Sequence, residues 1–329
     1  MAAVQITYDA LLHDPASVQA SIASAFGSAP GALGAIFITD LPPAFPALRG
    51  KLFHLAHVLG NLPPETRDSL ARPATAYAFG WSHGAEVMNG VADTAKGSYY
   101  ANPLLDLPDV SAEKRARYPE YYAGNVWPSG IGGLEEFEAA FKALGRFVAS
   151  VGVALARACE AFVAVEGRSI AALIEESKAN KARLLHYYPA PAQARADSLC
   201  GTHLDHSLLT GLCAAMYLDA AGAPVPPPSA DAGLYIFPRG GGEAVQVKIP
   251  PDALAFQMGE ALELLTGGKL AATPHFVSGG SGADDVSRET FAFFLQPDVD
   301  DVIGPDGETF GQFTKRVLQR HYELGPDQS

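Results

Sequence analysis

Two imidazoles and one carboxylate, His203, Asp205 and His275, are the side chains best suited to chemistry in this sequence. His203 and Asp205 are two positions apart, and His275 follows Asp205 by seventy positions. On a β-strand, residues i and i+2 point to the same face, so the first pair can reach one ion. Two histidines and a carboxylate that occupy one side of a metal and leave the other side open suit a non-haem Fe(II) centre. A His-x-Asp pair alone is weak, and the ordered set carries the prediction.

A cation and a hydroxyl follow thirteen residues after the second histidine, at Arg288 and Thr290. A guanidinium binds a carboxylate through two parallel hydrogen bonds, and a neighbouring hydroxyl can add a third. The far carboxylate of 2-oxoglutarate would be such an anion, which suggests an iron oxygenase that uses a 2-oxo acid. The alternative is that Arg288 pairs on the surface with Glu289, Asp284 or Asp285.

Short β-rich runs bounded by Gly, Pro or Asp dominate the chain after residue 183, and they must position these side chains. They lie at 184–188, 208–217, 233–237, 244–249, 253–257, 261–266 and 290–296. A Gly-rich segment at 239–242 is typical of a hairpin connection. Strands of this number and spacing predict a protein that is mainly β, with a double-sheet jelly roll, or double-stranded β-helix, as its core.

Flanking helices are predicted from apolar residues that recur at three- and four-residue steps. The clearest helix spans 134–163, and we assign its apolar stripe to the core. The other predicted elements are helices at 16–26, 45–59, 169–182 and 310–324 and a strand at 35–39. Residues 73–130 predict loops with short elements.

The composition narrows the class of protein. The 329 residues are 48% hydrophobic and 18% charged, which indicates a packed core. Three cysteines favour a reducing compartment over a disulfide scaffold. The net charge of −13 argues against binding to nucleic acid or to an anionic membrane. The sequence shows no signal peptide and, in this interpretation, no apolar stretch of the roughly 20 residues that a membrane span needs. We expect a cytoplasmic monomer that acts on a small molecule.

Over nearly its whole length the chain resembles the Fe(II)/2-oxoglutarate-dependent oxygenases, in the branch similar to isopenicillin N synthase. The segment 184–189 resembles the family's strand that ends in Tyr-Pro, 201–210 resembles its first metal strand, and 253–268 resembles the strands that lead to the distal histidine. Two differences are Thr290, where the family more often has Ser, and His186, where many plant members have Asn.

The resemblance implies four parts: an N-terminal non-haem oxygenase region at 4–130, helical support at 131–183, a catalytic jelly roll at 184–298 and a C-terminal helix at 305–326. It implies Fe(II) on His203, Asp205 and His275. It also implies 2-oxoglutarate on Arg288, Thr290 and Tyr188, with ascorbate as the reductant. O₂ would oxidise a C–H bond of a small organic molecule, with hydroxylation the commonest outcome and succinate and CO₂ released. Candidate substrate contacts are Phe79, Trp81, Tyr99, Tyr100, Asn102 and Phe294.

Three alternatives remain open at the level of sequence. One is a 2-oxoglutarate-independent iron oxidase, of the isopenicillin N synthase or aminocyclopropane-carboxylate oxidase type, in which Arg288 and Thr290 bind a substrate carboxylate. The second is a non-catalytic jelly-roll binding protein, and the third is a zinc enzyme. A phosphate-binding loop is rejected, because the Gly-rich runs at 240–242 and 279–282 lack a following Lys-Ser or Lys-Thr.

Overall fold

The structure is a computed structural model that describes residues 3–88, 91–162, 169–189, 200–279 and 285–323. Positions 163 and 324–326, which end predicted helices, lie outside the described residues, as do most of the Gly-rich run at 279–282 and Asp284, one alternative partner of Arg288.

The strands form two facing sheets and a small hairpin. In chain order the described strands are β1 (Val4–Thr7), β2 (Ala35–Thr39), β3 (Gly80–His83), β4 (Val87–Met88), β5 (Val91–Ala92), β6 (Lys96–Ala101), β7 (Lys181–Tyr187), β8 (Cys200–His203), β9 (Leu209–Cys213), β10 (Met216–Leu218), β11 (Pro224–Val225), β12 (Gly233–Ile236), β13 (Val245–Val247), β14 (Leu254–Met258), β15 (His275–Ser278) and β16 (Ser287–Leu295). The large sheet has the order β1-β2-β14-β9-β16-β7-β6-β3, with β10 and β11 beside β16, and the small sheet has the order β13-β12-β15-β8.

The inner faces of the two sheets pack on each other through an apolar cluster. Phe37 and Ala255 of the large sheet lie in this cluster with Leu234 and Ile236 of the small sheet, and Leu212 packs against it. Two β-sheets that enclose a common interior form the predicted jelly roll, so the fold class is confirmed. The antiparallel pair β12–β13 confirms the hairpin at 239–242.

Helices cover the outer face of the large sheet. The described helices are α1 (Tyr8–His13), α2 (Gln19–Phe26), α3 (Ala44–Gly60), α4 (Pro64–Ser69), α5 (Ala112–Arg117), α6 (Pro119–Tyr122), α7 (Phe137–Phe162), α8 (Ile170–Glu175), α9 (Glu260–Leu265) and α10 (Phe310–Glu323). Those that contact the large sheet most are α2, α3 and α7. The apolar stripe of α7 is buried, as predicted, and Phe141 packs edge-on against Phe291 at 5.4 Å between ring centroids. The helix lies so close that a Cβ on Gly211 would meet Val148 at 2.5 Å.

The helix α7 also bears on the expectation about membranes. Its segment Phe137–Glu160 is long and apolar enough to cross a membrane by length and composition alone, so the statement that no stretch reaches that length is wrong. Within this helix, 56% of the apolar 18-residue window that meets the membrane criterion is buried inside the protein. The apolar face of α7 therefore has a partner in the sheet, and the absence of a membrane stays a prediction.

Alternation along β16 separates two environments. Phe291, Phe293 and Leu295 lie in the core cluster shared with α7. The residues between them must point to the other face. Ala292 pairs in register with Leu212, which packs against the interior cluster. The face of β16 that carries the even-numbered residues is therefore the inner face.

Several predicted elements differ from the structure. The run at 261–266 is not a strand but the helix α9, because its residues Glu-Ala-Leu-Glu-Leu-Leu are good helix formers and bury Ala261 and Leu262 on one side. The predicted helix at 169–182 ends at Glu175, where Asn180 donates a hydrogen bond to the carbonyl of Ile174, and β7 begins at Lys181. The run at 208–217 divides into β9 and β10, and 73–130 contains four strands, two α-helices and a short 3₁₀-helix in its described residues.

Candidate active site

The predicted metal ligands converge between the two sheets. His203 Nε2 lies 3.7 Å from Asp205 Oδ1, and His275 Nε2 lies 3.8 Å from the same oxygen. All three ligand atoms are within 4.8 Å of one another. Two imidazole nitrogens and one carboxylate oxygen at these separations fit the facial ligand set of a non-haem Fe(II) ion. The tertiary structure thus brings together residues that are seventy positions apart.

Local backbone geometry explains how the triad forms. His203 ends β8 and pairs in register with His275 of β15, which places the two rings side by side at 4.3 Å. We had expected Asp205 to lie on the same strand as His203. It does not, because β8 ends at His203. The turn that follows holds Asp205 in place through a 2.7 Å hydrogen bond from the backbone N–H of Glu260 to its carbonyl.

Both rings are oriented by backbone carbonyls. His203 Nδ1 lies 2.8 Å from the carbonyl oxygen of Gly201, and His275 Nδ1 lies 3.3 Å from that of Thr273. Such contacts favour a proton on Nδ1 and leave each Nε2 lone pair for a metal. The side chain of His203 is 36% exposed, whereas those of Asp205 and His275 are 8% and 7% exposed. One side of the site is therefore open.

Burial lowers the pKa of His275, although Asp205 beside it acts in the opposite direction. The nearby His203 lowers the pKa of His275 further. A lowered pKa keeps the imidazole neutral, and only the neutral ring binds a metal. The electrostatics of the site therefore agree with its geometry.

Arg288 lies on the inner face of β16, as its even number requires. Its Nε and Nη1 atoms are buried and have no hydrogen-bond partner among the described residues. Buried guanidinium nitrogens without acceptors are costly unless an anion satisfies them. The chemistry of Arg288 therefore fits a carboxylate such as that of 2-oxoglutarate. Thr290 lies on the same face, and its hydroxyl donates to the carbonyl of Cys213 at 3.2 Å.

The structure places two adjacent tyrosines differently. Tyr187 is the register partner of Arg288, whose Cζ lies 4.9 Å from the centre of the Tyr187 ring. Tyr188, the residue expected at 2-oxoglutarate, comes after the end of β7. Its hydroxyl donates to the carbonyl of Gly60 at 3.2 Å and accepts a hydrogen bond from Arg67. Tyr187 is therefore the tyrosine beside Arg288, and its position was missed because the sequence does not show the register of β7 against β16.

A short chain of contacts joins Arg288 to the metal ligands. Tyr187 and Leu185 pack against Val277 of β15. Val277 lies two residues after His275 on the same face, a rise of about 6.7 Å. A cavity of about 560 Å³ has Arg288 in its lining but none of the three metal ligands. Arg288 therefore lines this cavity, whereas the described lining does not include the triad.

The predicted substrate contacts divide into two groups. Tyr100 and Phe294 lie on the inner face, since Tyr100 pairs in register with Arg183, and Arg183 with inward-facing Ala292. The described contacts of the other four are with the core, with a buried lysine or with the backbone. Tyr99 and Trp81 lie in the core under the helices, Phe79 packs against the Lys181 ammonium, and Asn102 binds the backbone of Leu104.

Gln257 is an inner-face residue that the sequence analysis did not select. It follows Ala255 on β14, and both its amide atoms are buried without a hydrogen-bond partner among the described residues. Its register partner is Thr210. A lone polar side chain at the end of the apolar run 253–257 was the available signal. A buried primary amide can donate to and accept from one ligand.

Comparison with solved structures supports this architecture. A Neurospora crassa protein, T7H, in complex with alpha-KG, is 16% identical with a TM-score of 0.72 and 95% of each chain covered. A putative 2OG-Fe(II) oxygenase family protein from Caulobacter crescentus is 21% identical with a TM-score of 0.73, covering 97% of this chain and 99% of the other. This chain has the 2OG-Fe(II) oxygenase fold.

A third structure with this fold is the rice dioxygenase for auxin oxidation, which is 14% identical with a TM-score of 0.64 and covers 97% of this chain and 96% of its own. The sequence matches no protein-family model and no curated protein. At these identities the likeness lies in the fold, and the chemistry must be argued from the site.

Proposed function

We propose that the protein is an Fe(II)- and 2-oxoglutarate-dependent oxygenase that oxidises a C–H bond of a small organic molecule. The observation that carries this proposal is the pairing of a converged His-Asp-His triad with a guanidinium whose buried Nε and Nη1 atoms lack acceptors among the described residues. Two structures with this fold contain the co-substrate: T7H with alpha-KG, and JOX2, 15% identical with a TM-score of 0.70, with 2OG, Fe and JA.

In this proposal His203, Asp205 and His275 hold Fe(II), and Arg288 binds the far carboxylate of 2-oxoglutarate. When bound, the iron supplies the activation of O₂. The balanced reaction consumes a C–H compound, O₂ and 2-oxoglutarate and yields the hydroxylated product, succinate and CO₂. The protein's part is to orient the reactants and to exclude water. Tyr187 contributes to this by covering one face of the Arg288 guanidinium.

The inner face suggests a polar substrate. Arg183 donates to Ser98 at 3.0 Å and pairs with Glu86, which also accepts from Tyr100 at 3.1 Å. Burial alone raises the pKa of Glu86, but Arg183 and Lys96 outweigh it and lower that pKa to about 2. The wall therefore carries fixed charges of both signs, which suits a small molecule with hydrogen-bonding groups better than a hydrocarbon.

The test is aerobic incubation with Fe(II), ascorbate and 2-oxoglutarate, together with a panel of small acids, amino acids, phenolics and pyrimidines. Succinate is measured by mass spectrometry. We expect Arg288→Met to raise the KM for 2-oxoglutarate at least about tenfold, because hydrogen bonds to a charged group contribute about 1.5–3 kcal/mol each. Arg239→Met is the control, since this arginine lies 4.0 Å from Glu263 at the surface.

Other outcomes would identify the alternatives. Substrate oxidation without succinate would replace the proposal with a 2-oxoglutarate-independent oxidase, in which Arg288 binds the substrate. Bound iron with no turnover on any substrate would favour a binding protein. A reaction that proceeds without O₂ would indicate a zinc enzyme.

A further inference from the structure

A second group of metal-binding side chains lies on the outer face of β16, away from the triad. It consists of His57 on α3, His186 on β7 and Glu289 on β16. His186 Nδ1 is 2.8 Å from Glu289 Oε1, and His57 Nδ1 is 3.7 Å from the same oxygen. The ligand atoms all lie within 4.8 Å of one another, as in the triad. We call these three residues the outer cluster.

The carboxylate of the outer cluster is completely buried. The Glu289 side chain is 0% exposed, and its Oε2 has no hydrogen-bond partner among the described residues. Among the described residues, the ion-pair contacts of Glu289 are with His57 and His186, and no lysine or arginine pairs with this carboxylate. A buried carboxylate is costly unless a cation balances its charge. Oε2 of Glu289 is therefore a buried oxygen that no described donor or cation satisfies.

We propose that the outer cluster binds a second divalent metal ion of the zinc class through His57 Nδ1, His186 Nδ1 and the Glu289 carboxylate. Two imidazoles and a carboxylate are common zinc ligands. The hydroxyl of Ser287 lies 2.9 Å from Glu289 Oε1 and 3.1 Å from His57 Nδ1. Its oxygen is therefore a possible fourth ligand atom beside the other three. The 2.8 Å contact between His186 and Glu289 is also a hydrogen-bond distance, so a proton competes with the metal for this carboxylate.

The surroundings hold the ligands in place. A Cβ on Gly60 would lie 2.4 Å from the His186 ring, so α3 reaches this imidazole only because residue 60 is glycine. The Tyr188 ring also meets His186 edge-on, at 4.6 Å between centroids. Fixed ligand orientation of this kind favours metal binding. The side chain of His57 is 13% exposed, which leaves a route for an ion.

The position of the outer cluster suggests a structural role. An ion here would join α3, β7 and β16, and Glu289 directly follows Arg288 in the sequence. Alternation sends Arg288 inward and Glu289 outward. A metal on the outer face would therefore hold the start of β16 against the helix layer. The proposal does not depend on the reaction at the triad.

The experiment measures zinc alone, in a His203→Ala/His275→Ala background that disables the iron triad. Zinc is titrated by calorimetry, and bound metal is counted by mass spectrometry after dialysis. We expect this background to bind one zinc ion per chain and to gain thermal stability from it. Adding Glu289→Gln or His57→Gln should remove both effects. His54→Gln is the matched control, because His54 lies on the same helix and its Nδ1 contacts the carbonyl of Gly50 at 2.7 Å.

Each outcome decides the proposal. Stoichiometric zinc that disappears with His57→Gln but survives His54→Gln supports it. No stoichiometric zinc in the background overturns it and leaves a hydrogen-bonded His–Glu network only. Zinc that persists in His57→Gln overturns it as well, since the ion then lies elsewhere. If Glu289→Gln does not fold, His57→Gln still decides, because His57 is the least buried of the three.

Discussion

The triad and the outer cluster contain nearly the same residue types, two histidines and a carboxylate, in two different environments. The triad lies between the two sheets, and the side chain of His203 is 36% exposed. The outer cluster lies under α3, with Glu289 at 0% exposure and His186 at 2%. A reaction centre needs an open coordination side, whereas a structural site is closed. Access, more than residue type, therefore separates the two groups.

The largest predicted effect is a difference in turnover between a substitution in the triad and one in the outer cluster. We expect His203→Ala to lower turnover by at least about 100-fold, because even a partner behind a metal ligand contributes about 10- to 100-fold to metal affinity or activity. His57→Gln should lower stability more than turnover. Succinate formation and bound iron are measured together. His206→Ala is the control, being adjacent to Asp205 with its Nε2 4.0 Å from Glu260. Equal loss of turnover in His203→Ala and His57→Gln would contradict the division of roles.

A second prediction compares the two faces of β16. Phe291 is fully buried against α7, whereas Phe294 lies on the inner face and is only partly buried. We expect Phe291→Ala to cost about 3–5 kcal/mol of unfolding free energy, as for other buried phenylalanines. Phe294→Ala should cost less than half of that and alter the KM for the substrate instead. Urea unfolding and steady-state kinetics check both, and a larger loss of stability in Phe294→Ala would reverse the assignment of faces.

The smallest effect concerns Lys181, the register partner of Phe294 on the inner face. Burial lowers the pKa of Lys181 from 10.5 to about 7. Between these values the unfolded chain binds more protons than the folded one, so the free energy of unfolding rises with pH, by up to about 1.4 kcal/mol per unit. Below about pH 7 both states are protonated and this contribution is flat.

Lys181→Met should remove that rise. Urea unfolding of both proteins at pH 7, 8 and 9 measures the two slopes. If the free energy of unfolding depends on pH equally in both proteins, Lys181 keeps its proton in the folded protein. The surroundings of its ammonium group are then accessible to water.

The sequence predicted more of the fold than of the site's details. The helix α7 followed from the apolar stripe on one of its faces, and the jelly roll followed from the number and spacing of the short β-rich runs. The strand β2 followed from its apolar and β-branched residues, which are buried on both faces. The prediction failed at α9, because periodicity alone does not distinguish a buried helix from a buried strand over six residues. It also failed on the position of Asp205, because the end of β8 depends on its pairing with β15.

The sequence by itself determined which residues could bind a metal and an anion, since ligand chemistry belongs to the side chain. Tertiary structure decided which of them meet. Register set Tyr187, and not Tyr188, beside Arg288, and the packing of α3 on the sheet brought His57 to His186 and Glu289. Such contacts join residues far apart in the chain, and their geometry depends on strand pairing and helix packing that no local pattern encodes.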